Sequence, residues 1–334
     1  MSLRRRRQFL IAGSALLAAP LVLAQNRPAG TPFRIGLFPA LDEPFLGWTH
    51  KAMQASGWQQ GRDYVFVQSD AGYGEPTVSA ATRLISRKID LALVNSTAHA
   101  VALHRVSAQV PIVMWASGYP VEAGLALSLA RPGKNVTGVT FYAGTGIWGK
   151  LLELLHESKP GIRSIGVAWG YVPPAFPREE VEPCYRELRQ AARALKLTLH
   201  IEAIAVPEGV PAGLASLEAA RPDALLVAAG PGFFSERHRV VQFAVARRIP
   251  TAADFRWPPA GEPAPLLTYA PSHAANMRKA TSYVVRILEG GARPGELPIE
   301  QPSKFELVVN LKTAKAIGLS VPPSLRLRAD EVIE

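Results

Sequence analysis

From Phe33 onward, short apolar runs alternate with longer segments whose apolar residues recur every three or four positions. A continuous apolar run bounded by turn residues reads as a strand buried on both faces, and the three-to-four spacing reads as a helix packed by one face. The first half predicts strands at 33–38, 64–68, 91–94 and 112–115, separated by helices at 45–56, 76–87 and 98–106. In the second of these helices the apolar stripe is Val78, Ala81, Leu84 and Ile85. The rhythm restarts after a strand at 138–141. Helices at 146–158, 179–195, 212–220 and 237–247 then alternate with strands at 165–168, 199–205, 224–229 and 251–255. This is the pattern of an α/β protein with parallel sheets covered on both faces. Its repetition predicts two doubly wound, Rossmann-like lobes with a cleft between them. A strand at 266–269, a helix at 273–288 and a strand at 305–310 follow the second unit and must add to one lobe or the other. The expected partition is 32–139 plus 268–296 for lobe 1 and 140–267 plus 297–334 for lobe 2.

Length agrees with two lobes, because 334 residues exceed what one hydrophobic core usually organises. The amino terminus has another character. Arg4 to Arg7 form a basic stretch, a weakly polar run follows from Phe9 to Leu23, and Val22-Leu23-Ala24 suits a cleavage site after Ala24. Residues 1–24 therefore read as a secretory signal peptide, its apolar run shorter than the roughly 20 residues a spanning helix needs. Arg6-Arg7-Gln8-Phe9-Leu10 matches the twin-arginine pattern, and the basic start of a general secretory signal explains the same residues. Both routes lead out of the cytoplasm. Cys184 is the single cysteine, so neither an internal disulfide nor a lipidated mature terminus is expected. A free, monomeric periplasmic protein is expected. The formal charge of +10 loses the four signal arginines and falls to +6. The remaining Lys and Arg are scattered, which reads as a solvated basic surface and not as a nucleic-acid face.

Candidate chemistry is sparse. Gly144 to Lys150 has the glycine and lysine spacing of a phosphate-cradling loop, but Leu151 stands where Ser or Thr must hold Mg²⁺. The seven histidines form no HExxH or i, i+4 pair, so no metal is expected. Cys184 lies beside Pro183 in an acidic stretch that raises a thiol pKa, which fits a structural role. No Gly-x-Ser-x-Gly elbow accompanies Ser96 or Ser117. No cofactor and no catalysis are expected, and a binding role remains. Parallel strands aim their carboxyl ends at a crevice. First-lobe contacts are therefore expected from Phe38 to Asp42, from Asn95, Ser96 and Thr97, and from Ser117 to Tyr119. Second-lobe contacts are expected from Trp169 to Tyr171, Gly230-Pro231, Asp254 and Phe255. Phe38, Trp115, Tyr119, Tyr142, Trp169, Tyr171, Phe255 and Tyr269 offer faces for a planar ligand, with core packing as the rival reading. Asn95 to Thr97 suits a ligand carboxylate at a helix start and equally a plain cap. Asp42 and Asp254 suit a ligand amine or, again, a cap.

Two stretches carry more than pattern. Gly124 to Val139 (GLALSLARPGKNVTGV) resembles the signature GLVxSLARPGGNxTG, and Phe305 to Leu319 (FELVVNLKTAKAIGL) resembles FELVINLKTAKALGL. Both are similar to the ABC transporter substrate-binding family that includes tryptophan- and tyrosine-type binding proteins. Pro322-Pro323-Ser324-Leu325 and Arg328 to Glu334 fit it too. The resemblance runs from about Phe33 to the end. It implies a type I periplasmic-binding-protein fold, three crossing segments, an amino acid or similar small molecule in the cleft, and an ABC permease as partner. Where such proteins commonly have Asp-Pro-Val, this chain has Tyr119-Pro120-Val121, so an acidic contact is missing there. The signature residues read as structural: Leu127 and Leu129 buried, Arg131-Pro132-Gly133 a turn, and Asn310 to Ala316 a strand packed onto its helix. The expected function is capture by lobe closure for an ABC importer. A ligand sensor for a signalling receptor is the alternative, and a cleft enzyme would need a convergent acid, base or nucleophile. Transcription regulators of this fold carry a helix-turn-helix where this chain has an export signal.

Overall fold

The apolar runs of the first half become β1 (Phe33–Phe38), β2 (Tyr64–Gln68), β3 (Leu91–Val94), β4 (Ile112–Ser117) and β5 (Val136–Thr140), with α1 (Phe45–Ala55), α2 (Val78–Ser86) and α3 (Thr97–Val106) between them. The computed structural model describes residues 30–334 apart from 42, 72–76, 142–145, 172–181, 229–232 and 257–263. The expected signal peptide, Asp42, Tyr142 and Gly230-Pro231 lie outside the described residues. The second half supplies α4 (Gly146–Ser158), β6 (Ser164–Tyr171), α5 (Glu182–Ala194), β7 (Thr198–Ala205), α6 (Val210–Ala220), β8 (Ala224–Ala228), α7 (Phe233–Ala246), β9 (Thr251–Ala253) and β10 (Leu267–Pro271). After them come α8 (His273–Leu288), β11 (Ile299–Glu300), β12 (Phe305–Asn310), α9 (Leu311–Ile317), α10 (Pro323–Arg328) and β13 (Glu331–Ile333).

The strands form two sheets, ordered β11-β5-β4-β3-β1-β2 and β13-β12-β10-β9-β8-β6-β7. The central strands β3 and β8 are buried at every position, as continuous apolar runs require. In the first sheet one face packs under α1 and α8 and the other under α2 and α3. The second sheet is covered by α4, α5, α9 and α10 on one face and by α6 and α7 on the other.

The chain passes between sheets after β5, after β10 and after β11. β5 and β11 run parallel to their neighbours and β10 runs parallel to β9, so all three passages leave from the carboxyl ends of the parallel strands. That geometry explains the antiparallel β12: entering the second sheet from the carboxyl-end side, it must run back against β10, with Leu267 opposite Val309. It also moves two short pieces. β10 belongs to the second sheet, although the boundary at 268 placed it with lobe 1. Ile299–Glu300 pairs with Gly138 and Val139 of the first sheet, although the boundary at 297 placed it with lobe 2. A strand of two residues has no periodicity to read.

The two signature stretches are backbone devices. In the second, the Asn310 side chain caps α9 by accepting the Thr313 N–H at 3.0 Å. Gly318, at φ +71°, ends the helix while the N–H groups of Gly318 and Leu319 donate to the carbonyls of Lys315 and Ala314. In the first, Leu127 is 71% exposed, which corrects the expectation that it is buried. The segment is not a strand and inward-outward alternation does not apply. It turns on Pro120, whose carbonyl accepts from the N–H groups of Leu125 and Ala126, and Leu125 is the buried residue. Leu129 packs half-buried beside β11, its carbonyl accepting the Ile299 N–H. The turn at Arg131 to Gly133 is present, with the Leu127 N–H donating to Pro132 O and Gly133 at φ +71°.

Candidate ligand-binding site

The carboxyl ends of β3 and β4 bring together the polar residues singled out in the first lobe. Ser96 caps α3, its Oγ accepting the His99 N–H at 3.2 Å while also facing the His99 Nδ1. Thr97 Oγ1 donates to Gly118 O at 2.6 Å and so ties the start of α3 to the end of β4. Ser117 is fully buried, and its carbonyl accepts the Phe141 N–H. Two polar atoms in this group have no hydrogen-bond partner among the described residues: Ser117 Oγ and Asn95 Oδ1, both buried. Most buried polar groups in folded proteins are paired, because an unpaired one forfeits about 1–3 kcal/mol. Two unpaired ones sit beside the amino-terminal end of a ten-residue helix, where free N–H groups and the helix dipole favour an anion.

The aromatic residues divide. Phe38 is fully buried in the first-lobe core with its ring edge-on to His99 at 4.6 Å. Phe255 lies in the core of the second lobe. Tyr269 stands mid-strand in β10 and stacks at 5.5 Å on Phe305, the first residue of β12. Trp169 packs between Trp148 at 5.1 Å and Tyr185 at 5.3 Å. Tyr171 ends β6 half-buried. Asp254 follows β9, fully buried and in electrostatic contact with Cys184. Tyr119, at φ +46°, leaves the first lobe and packs against the α4–α5 core of the second.

A cluster invisible in the linear order forms around His273, the first residue of α8 and so the point where the chain re-enters the first lobe. Its ring stacks with Trp48 at 6.2 Å and Phe141 at 5.7 Å, and meets Phe45 and Trp115 at steep angles. Burial holds the imidazole neutral, lowering its pKa to about 4; Arg256 adds to the effect and Glu306 opposes it. His273 Nδ1 and Trp115 Nε1 have no hydrogen-bond partner among the described residues. Phe45 and Trp48 come from α1, Trp115 from β4 and Phe141 from just after β5, so no local spacing announces the cluster. The only sequence signal is the Ser272 cap that starts the helix, its Oγ accepting the Ala275 N–H.

Two sheets meeting at their carboxyl ends across three passages, with unpaired polar atoms at those ends, suit reversible capture of a small molecule. Residues 38–333 match the family described as ABC transporter substrate binding protein. The chain belongs to that family. This substrate-binding protein is 27% identical over 297 residues to the tyrosine-binding protein of Clostridioides difficile, covering 88% of this chain and 80% of that one. Among solved structures, an ABC domain from Streptococcus pneumoniae in complex with L-Trp superposes with a TM-score of 0.75 at 21% identity, covering 91% of this chain and 100% of that one. A ligand-free, open substrate-binding protein with adhesive properties from Clostridium difficile gives 0.63 at 24% identity, covering 90% and 99%. The fold is that of type I periplasmic binding proteins. The protein is the extracytoplasmic, substrate-binding component of an ABC transporter, and it binds a small molecule without turning it over. Among the described residues no three His, Cys, Asp or Glu side chains converge as a metal site, and no helix is long and apolar enough to cross a membrane.

Proposed function

We propose that this substrate-binding protein captures an α-amino acid with a planar side chain and delivers it to its permease. The observation that carries the reading is the pair of unpaired buried atoms at the α3 end of the first lobe. Ser117 offers a hydroxyl donor, and the first turn of α3 offers backbone donors, to a carboxylate. Asn95 Oδ1 is an acceptor and answers an ammonium group, which the missing acid at Tyr119 does not. The tyrosine and L-Trp bound by the two relatives have this zwitterionic end. The ligand bridges two lobes, which we infer to be 33–140 plus 273–300 and 146–271 plus 305–333. The protein acts as a periplasmic monomer, freed of residues 1–24 by cleavage after Ala24. The order of basic and apolar residues supports that cleavage, and mass spectrometry of the exported chain tests it.

Ligand must first be stripped by unfolding and refolding. L-tryptophan and L-tyrosine are then expected to raise the melting temperature saturably, corresponding to about 2.7 kcal/mol at one hundred times Kd. Tryptamine and indole-3-propionate, each lacking one end of the zwitterion, should shift it far less. Ser117→Ala separates a ligand contact from a packing residue. Deleting an unpaired buried hydroxyl is expected to stabilise the ligand-free protein by about 1 kcal/mol, while affinity for the amino acid drops roughly tenfold, about 1.4 kcal/mol. A variant that loses stability and keeps its affinity would place Ser117 outside the site. No shift with any zwitterionic amino acid would end this reading.

A further inference from the structure

The connection from Ser117 to Val136 starts and ends in the first sheet and crosses to the other lobe nowhere along the backbone. Its first turn is fastened to its own lobe. Thr97 Oγ1 holds Gly118 O, Ala123 N–H donates to Tyr119 O at 3.0 Å, and Leu125 N–H donates to Pro120 O at 2.8 Å. One side chain of that turn belongs to the other lobe. Tyr119 packs against the core that α4 and α5 form over the second sheet. Its hydroxyl interacts there with the Cys184 thiol and the Trp148 indole, and burial raises its pKa. The same contact shields the thiol, which is 1% exposed and pushed up to about 12 chiefly by burial. Glu122, on the same turn, and Glu187, on α5, are close enough for their charges to oppose each other, and Arg186 offsets that repulsion.

Ala116, on β4, and Phe141 of the first lobe also meet second-lobe residues, Ala116 with only a methyl group. Phe141 stands at the start of a covalent crossing and stays beside both lobes however they turn. Tyr119 stands on no crossing, so its contact must break when the lobes part. The side chain can take this path because the residue adopts the left-handed backbone region, which a bulky non-glycine residue occupies only when its surroundings enforce it.

We propose that Tyr119 is the residue through which the first lobe holds the second in the arrangement described, with or without ligand, and is thereby a positioning residue for ligand retention. The proposal rests on the clamp reading above for its purpose, and on the Tyr119 contact alone for its existence.

The mature protein carries its own reporter, because Cys184 is its single thiol. The decisive variant is Tyr119→Asn, since asparagine tolerates the left-handed conformation and the substitution removes the ring without adding backbone strain. With the ligand stripped, Ellman's reagent is expected to modify Cys184 at least tenfold faster in Tyr119→Asn than in the wild-type protein. Small-angle X-ray scattering should show a larger radius of gyration. Tyr119→Phe keeps the ring and should return both readings most of the way to wild type, which loss of packing around one thiol would not do for the radius. With saturating L-tryptophan as probe, Tyr119→Asn should release ligand at least tenfold faster than wild type. An unchanged radius of gyration in Tyr119→Asn overturns the proposal whatever the thiol does. Should neither L-tryptophan nor any other zwitterionic amino acid bind, the amino-acid reading falls, and the ligand-free radius still decides the role of Tyr119.

Discussion

Gly138→Ala is expected to lower the unfolding free energy by about 4 kcal/mol, among the largest effects available to a single methyl group in this protein. Gly138 lies mid-strand in β5, paired with Met114 of β4 on one side and Ile299 of β11 on the other. Its φ is +126°, outside the range of L side chains, and a Cβ built there would stand 2.0 Å from the Met114 carbonyl oxygen and 2.5 Å from the Met114 nitrogen. Both obstacles are backbone atoms, so no rotamer change relieves them and β4 must separate from β5. β4 carries Trp115 and Ser117, and the damage would therefore reach the proposed ligand site. Gly146→Ala is the matched control: a Cβ there meets nothing within 4 Å and the residue begins α4, so a neutral or slightly stabilising change is expected. Urea unfolding of both variants decides the matter. Equal midpoints would mean that β5 accommodates a side chain at this position.

A second large effect is expected from His273 as pH falls. The ordinary imidazole pKa is about 6.5, and burial among Phe45, Trp48, Trp115 and Phe141 brings it to about 4 in the folded protein. Between those values the unfolded chain binds a proton that the folded chain refuses, so stability falls as pH falls from about 6.5 to about 4 and changes little from this source below that. A shift of this size corresponds to about 3 kcal/mol. His273→Phe fits a planar ring into the same aromatic surroundings and is expected to cost under about 1.5 kcal/mol at pH 7. Its stability should then decline less than that of the wild type between pH 7 and pH 4.5, by a margin approaching the same 3 kcal/mol. Urea midpoints at the two pH values measure the difference. Parallel decline in both proteins would show that the imidazole is not held neutral.

Both residues show where local sequence suffices and where it does not. Gly138 closes the first signature stretch, and its neighbours share its structural duty. Asn135 Nδ2 donates to the carbonyls of Ser107 and Val110, and Thr137 Oγ1 donates to Leu297 O. The stretch identifies the family because it bolts β5 into the sheet, which says nothing about the ligand. Asn310 and Gly318 do the same for α9. These are rules of backbone conformation and capping, enforced within a few residues, and so they are written into short motifs that can be recognised by eye.

The sequence by itself determined the elements and their alternation. β1 (33–38), β3 (91–94), α4 (146–158), α8 (273–288) and β12 (305–310) stand where the apolar pattern put them, because burial on two faces or on one helical stripe selects residues locally. It also placed Asn95 and Ser117 at the carboxyl ends of β3 and β4 and Ser96 and Thr97 at the start of α3, since those ends follow from strand direction alone. Tertiary structure decided the rest. It assigned β10 and β11 to their sheets, left Leu127 at the surface, sent Tyr119 into the opposite lobe, and closed four aromatic rings from α1, β4 and the end of β5 around His273. Each of these depends on contacts between residues tens to hundreds of positions apart. Hydrophobic burial drives such contacts but is non-directional, so which distant side chains meet is set by how the layers pack and by where the chain crosses between them.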